Sequence, residues 1–231
     1  FSKDGIELLT GLQKHKNGNT VLSCYRLNTT AINTLSQTLY MQGINGLLSI
    51  PSQETTEIPF KILGLDANVD TPSNQIDFNG GAMSQYYWEI FFYMPFLIAK
   101  SLQTQQQNSA AQKWYEYIFN PTINKKDEVF SADTENDKYW RFLGLRSSEN
   151  PILNEELNES WADEVEQDTK NAVQLYAYHN DPFNPHAIAR LRPIAYQKTM
   201  VMHYIDNLLS GGDKLFRQYT VESIVEASML Y

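Results

Sequence analysis

The 231-residue chain has a single cysteine, Cys24. One thiol excludes an internal disulfide and any metal site built only of cysteines. Beside Tyr25, it is expected to be buried. Basic residues are also few, 18 Lys and Arg against 27 Asp and Glu, for a formal net charge of -9. They are scattered, whereas neutralising phosphates needs clustered cations, so a general nucleic-acid binder is excluded. No apolar run reaches the roughly 20 residues of a membrane-spanning helix. The longest, YYWEIFFYMPFLIAK at 86–100, is interrupted by Glu89 and Pro95. Phosphate-cradling GxxxxGK(S/T), dinucleotide GxGxxG, the GxSxG nucleophile elbow, HExxH and CxxC are all missing. No repeat of fixed period is evident. The opening FSKDGIELL has neither the basic start and apolar core of a secretory signal nor an initiator Met. The last residues, TVESIVEASMLY, stop inside an amphipathic pattern without Gly, Asn or Pro to close it. Both ends lead to the expectation of a piece of a longer protein.

What is present is ample material for a core, 42% hydrophobic and 13% aromatic. The 86–100 run is its centre. Tyr86, Tyr87, Trp88, Phe91, Phe92, Tyr93 and Phe96 leave no polar face, the pattern of a helix surrounded by protein. Trp88, Glu89, Phe91, Phe92 and Pro95 are its landmarks. Pro95 removes one backbone hydrogen bond and should kink the helix, while Ser84 is available as its N-cap.

Taken in order, 1–13 is expected to be a short helix with Ile6, Leu8, Leu9 and Leu12 apolar, ending near the Asn17-Gly18 turn signal. In 26–48, Leu27, Ala31, Ile32, Leu35, Leu39, Ile44, Leu47 and Leu48 fit a helical stripe, with Gly43 and Gly46 weakening its last turns. The Pro, Thr and Asn content of 51–79 favours a small β element. A helix over 108–119 presents Ala111, Trp114, Tyr115 and Ile118, and Asn120-Pro121 ends it. A charged surface loop follows, with 139–143, YWRFL, as an aromatic anchor. Asn154 is a reasonable N-cap for a helix to about Tyr178. Pro193 initiates another, with Ile194, Val201, Ile205 and Leu208 at helical spacing and Gly211-Gly212 either ending it or tolerated within it. Thr220 caps a last segment. The expected fold class is mainly α and bundle-like, with the β element at 51–79.

Candidate chemistry is sparse. Glu155, Glu156, Glu159, Asp163, Glu164, Glu166 and Asp168 crowd the first half of the 154–178 helix, where the helix dipole favours acidic groups on a solvated face. Pairs such as Glu155 with Glu159 share that face, but solvation gives no means of separating their pKa values for acid and base roles. His179, Asp181 and His186 fall in a loop whose variable spacing suits a Pro-locked turn better than a metal site. His203 in VMHYI suits a packing role. The glycosylation sequons at Asn28 and Asn158 arise as readily by chance. No catalytic residue, cofactor or metal ligand is assigned.

Longer strings carry more information than spacing here. RLNT at 26–29, IDFNG at 76–80, YYWEIFFYMPFLIAKSL at 86–102, AAQKWYEYIFNP at 110–121, DPFNPHAIARLRPIAYQK at 181–198, YIDNLL at 204–209, GDKLFR at 212–217 and the final TVESIVEASMLY occur in this order. Over 26–231 the chain therefore resembles the A component, TcA, of bacterial Tc insecticidal toxin complexes. The resemblance implies a secreted homopentamer whose mainly helical shell, bearing receptor-binding insertions, encloses a translocation channel. This piece corresponds to the C-terminal part of the shell, before the linker to the pore-forming and TcB-binding regions, with 1–25 as the end of a preceding segment. Implied partners are other TcA protomers, TcB-TcC through a region absent here, and a host receptor or glycan through other domains. Part of that shell is called neuraminidase-like, but no Asp-box and no Arg cluster suited to a sialic acid carboxylate is found. The interval between the 26–48 helix and IDFNG is too short for a complete receptor-binding insertion. A glycan-binding module using 51–79, or a glycoside hydrolase, is the competing expectation. The acidic face at 155–168 is expected to sense pH, because carboxylates brought together in an assembly protonate as pH falls.

Overall fold

The N-terminal strands pair where the local sequence alternates. Ile6, Leu8, Thr10 and Leu12 occupy every second position, and TVLSCYR offers a partner rich in β-branched and aromatic residues. In the computed structural model, which describes residues 2–3, 6–14, 20–26, 28–58, 69–70, 75–78, 82–123, 137–146, 179, 183 and 193–231, this period-2 pattern prevails. Strands β1 (Ser2–Lys3), β2 (Ile6–Lys14) and β3 (Thr20–Arg26) precede any helix. Strands β2 and β3 are antiparallel, in register from Leu8 opposite Arg26 to Lys14 opposite Thr20. The helix expected over 1–13 is thus corrected to strand. Its four leucines and isoleucines fit either period over so short a run, and the neighbouring strand decides between them.

Strand β4 (Val69–Asp70) adds parallel to β3, completing the order β1-β2-β3-β4. Together with the isolated bridge between Thr56 and Gln75, it is the strand content of 51–79 among the described residues. That stretch also begins in a helical turn, α2 (Ile50–Gln53), which accepts Pro51 in its first turn. Helix α1 (Ala31–Leu47) comes before it and breaks at Gly43, where φ is +68° and ψ is -160°. That region of backbone space is essentially restricted to glycine. Ala31, Leu35 and Leu48 are buried, but Ile32, Leu39 and Ile44 from the expected stripe are exposed. Helices predominate among the described residues, and the fold is mainly α.

The chain divides into two compact units, 1–89 and 90–231. Helix α3 (Ser84–Trp88), a π-helical turn (Glu89–Tyr93) and α4 (Met94–Thr104) follow one another without a loop. Pro95 sits in the first turn of α4. A proline within a helix has no N–H to give and its ring crowds the preceding turn. Here the wider π turn immediately precedes it. Met83, not Ser84, occupies the N-cap position of α3. Ser84 lies inside the helix, with its Oγ buried and no hydrogen-bond partner among the described residues.

Of the landmarks, Trp88, Phe91, Phe92 and Pro95 are buried and Glu89 is half-buried. The run is not enclosed on all sides, however. Tyr86, Met94 and Leu97 are 57%, 56% and 68% exposed, giving the helix an open edge. Composition had hidden that edge, because an aromatic or thioether side chain looks the same in a sequence whichever way it faces.

In the second unit α4 packs on α5 (Asn108–Glu116), α5 on α6 (Pro193–Phe216), and α6 on α7 (Val221–Leu230). Ala111, Tyr115 and Ile118 are fully buried. The aromatic anchor closes over this group. Trp140 pairs with Phe119 in an isolated bridge, with their rings 4.8 Å apart. Phe142 is fully buried against Phe92 at 5.7 Å. Each large apolar side chain so buried contributes about 1.5–3 kcal/mol. Helix α6 runs through Gly211 and Gly212 without ending. A Cβ on Gly212 would lie 3.1 Å from the Tyr231 ring, so the small residue permits close approach of the chain after α7.

Candidate functional site

Among the described residues three groups of side chains qualify as candidate sites: a buried carboxylate junction in the first unit, a polar seam among the helices of the second, and an exposed apolar face along α6 and α7.

The junction forms at the start of α1, where Thr30, the N-cap residue, makes no cap of its own to the helix. Instead the Thr30 N–H donates to Glu57 Oε2 at 3.2 Å, and Ile58 N–H donates to Thr30 Oγ1 at 2.9 Å. Ala31 N–H donates to Thr29 Oγ1 at 3.0 Å. Tyr87 Oη, from α3, donates to Glu57 Oε1 at 2.9 Å and lies 2.6 Å from Thr29 Oγ1. Glu57 is only 4% exposed. Beside this junction Trp88 Nε1 donates to the Phe78 carbonyl at 2.8 Å, fixing 78 to α3. Apart from the local Ala31 and Thr29 bond, no local sequence signal announces the junction, since its other partners lie 27 to 58 residues apart.

The seam joins α5 to α6 reciprocally. Asn207 Nδ2 donates to the Asn108 carbonyl at 3.0 Å, and Asn108 Nδ2 donates to the Asn207 carbonyl at 3.1 Å. One turn along, Gln112 Nε2 donates to Tyr204 Oη at 3.2 Å and to Glu116 Oε1 at 2.9 Å. Burial, then the Glu116 charge, pushes the Tyr204 hydroxyl above its ordinary pKa. Tyr115 donates to Gln103 Oε1 at 2.7 Å, and burial, with Asp206 second, pushes its hydroxyl up to about 12. His203 packs edge-on against Phe96, with ring centroids 5.2 Å apart. These groups hold helices together. They set no nucleophile beside a base.

The apolar face arises from a shift in helical phase. The buried residues of α6 are Pro193, Met200, Tyr204, Asn207 and Gly212. The spacing of Ile194, Val201, Ile205 and Leu208 had suggested the adjacent face, but Ile205 is 48% exposed and the other three are half-buried. The polar Asn207 and small Gly212 lie inside because hydrogen bonding and close approach suit them there. In α7 Thr220 forms a capping box with Ser223: Ser223 N–H donates to Thr220 Oγ1, and Thr220 N–H to Ser223 Oγ, each at 3.1 Å. Ser223 and Ala227 are buried, while Val221, Val225 and Met229, spaced four apart, are 78%, 53% and 82% exposed. Met202, Ile205, Leu209 and Phe216 are exposed on α6.

The acidic residues Glu155, Glu156, Glu159, Asp163, Glu164, Glu166 and Asp168 lie outside the described residues, as do Asp181, Asn184 and His186. His179 and Phe183 are exposed. Among the described residues no group of three or more His, Cys, Asp or Glu could hold a metal ion. No helix among them is long and apolar enough to cross a membrane.

No family profile matches the chain. Toxin subunit YenA2 of Yersinia entomophaga is 24% identical over 151 residues, 65% of this chain and 9% of that protein. Among solved structures, TcaA-TcaB of Yersinia pseudotuberculosis aligns with a TM-score of 0.57 and 21% identity over 90% of this chain and 9% of its own. TcdA4 of Morganella morganii aligns at 0.56 and 18% identity, covering 96% of this chain and 13% of its own. This chain therefore spans about a tenth of the length of the relatives it matches. The chain is thus similar in sequence to a toxin subunit over about two thirds of its length and shares its fold with part of the TcaA-TcaB and TcdA4 structures.

Proposed function

We propose that this chain is a non-catalytic shell segment of a TcA-type subunit, extracellular in use, whose exposed helical faces pack against other parts of the same subunit or neighbouring protomers. The carrying observation is the double-sided α7. Its Ser223 and Ala227 side is buried while Val221, Val225 and Met229 are exposed in register along the other side. Scattered surface apolar residues need no explanation, but ordered stripes on consecutive helices mark an interaction surface. The small share of the relatives' length that the chain spans supports the same reading. In this proposal residues 26–231 serve the shell, and receptor binding, translocation and TcB-TcC docking belong to other parts of the longer protein.

The test is Val225→Asp with Met229→Asp in the full open reading frame containing this segment, with assembly followed by mass photometry. The expected outcome is loss of the homopentamer with the segment still folded. Unimpaired assembly refutes packing of this face against neighbouring protomers, and turnover of a glycoside by the purified segment refutes the non-catalytic reading. Within the same reading the carboxylates at 155–168 sense pH at a contact in the assembly. Replacing all seven by their amides should move the pH at which the assembled toxin releases its pore, and an unmoved threshold removes them from that role.

A further inference from the structure

We propose that Glu57 is a conformational latch that holds the start of α1, residues 57–58 and α3 together, so that α1 opens as a local unit when the latch is removed. Three observations converge on it. The carboxylate is almost wholly buried. Its two oxygens are divided between two elements, Oε2 accepting from the Thr30 N–H and Oε1 from Tyr87 Oη. The residue after it returns the contact, Ile58 N–H donating to Thr30 Oγ1.

Helix α1 depends on this arrangement more than a self-capped helix would. Its N-cap side chain makes no hydrogen bond to the helix, in contrast to the reciprocal Thr220 and Ser223 box of α7. A carboxylate at a helix N-terminus also complements the partial positive charge of the free amides there. Beyond Leu35 the buried contacts of α1 are few, for Tyr40 and Met41 are 92% and 73% exposed and Gly43 interrupts the helix. A helix with sparse apolar anchoring, tied at its start by a small group of polar contacts, is of the kind that opens below the global unfolding free energy. The hydrogen bonds at its first turn then set the population of the open form.

Amide hydrogen exchange on the 231-residue chain, read by mass spectrometry, tests this. Glu57→Ala removes the carboxylate that accepts from the Thr30 N–H and takes one of the two acceptors from the Tyr87 hydroxyl, which keeps Thr29 Oγ1, and should raise exchange rates in α1 by about tenfold or more. Tyr87→Phe removes one of the donors and should act in the same direction by a smaller factor, deciding the matter if Glu57→Ala does not fold. Amides of α6 serve as the reference and should keep their wild-type rates. The latch is refuted if α1 exchange is unchanged in the variants. It is equally refuted if α1 and α6 accelerate by the same factor, because Glu57 is then only one contributor to global stability.

Discussion

The two units hold their helices by different means. In the first, α1 is secured by a junction of directional bonds, Glu57 with Thr30 and Tyr87. In the second, fully buried Tyr115, Ile118, Phe142 and Leu145 pack in an aromatic core, and the polar seam of Asn108 and Asn207 fixes how α5 meets α6. Hydrogen bonds in a protein contribute about 1 kcal/mol each net and lose their value steeply with misalignment. Buried area contributes more in total and tolerates small displacement. The contrast teaches that the two units should answer differently to the same kind of substitution.

The largest test of the contrast is Phe142→Ala. Removing this ring from a fully enclosed site should cost about 3–5 kcal/mol, read as a fall in the urea midpoint of the second unit. A cost below about 1 kcal/mol would show the aromatic core to be less decisive than its burial indicates. Next comes Gly43→Ala, which forces a Cβ into backbone space that suits glycine. It should cost about 1–3 kcal/mol through local strain although the site has open space around it. Tyr115→Phe should cost only about 0.5–1.5 kcal/mol, since the ring stays and only the bond to Gln103 is lost. The smallest effect belongs to Val225→Asp in the isolated chain, within about 0.5 kcal/mol of wild type. A larger loss there would mean that the outer side of α7 is part of this chain's own core.

A pH experiment sharpens the comparison further. The Tyr115 hydroxyl ionises at about 12 in the folded chain against 10.0 ordinarily, because burial disfavours the phenolate. The folded state therefore holds this proton more tightly. Its contribution to stability is fully present below pH 10 and is lost as pH rises from about 10 to about 12. Denaturant unfolding across that range should show a decline that Tyr115→Phe reduces. An unchanged decline in the variant would assign it to other groups.

Much of the second unit was legible in the residues. Ala111, Tyr115 and Ile118 fall at helical spacing and are buried together, and Asn120-Pro121 follows α5 as a stop signal should. Thr220 caps α7 because a hydroxyl before a helical run can accept from the first free amides. Less was legible in the first unit. Over 1–13 the apolar residues satisfied two periods, and pairing with 20–26 selected the strand. In α6 the apolar count pointed to one face while burial chose the neighbouring one through Asn207 and Gly212, residues whose inside position rests on a partner and a fit, not on hydropathy.

By itself the sequence determined the mainly helical class, the central aromatic run around Phe91 and Phe92, and the ordered strings that carry the resemblance to Tc toxin components. Each of these rests on local composition, spacing or residue order, which a linear chain displays directly. Only the tertiary structure decided which edges of the helices are open, that a π turn comes just before the first turn of α4 where Pro95 sits, and that a buried glutamate 27 residues away bonds to the start of α1. Those features depend on long-range contacts that no local period encodes.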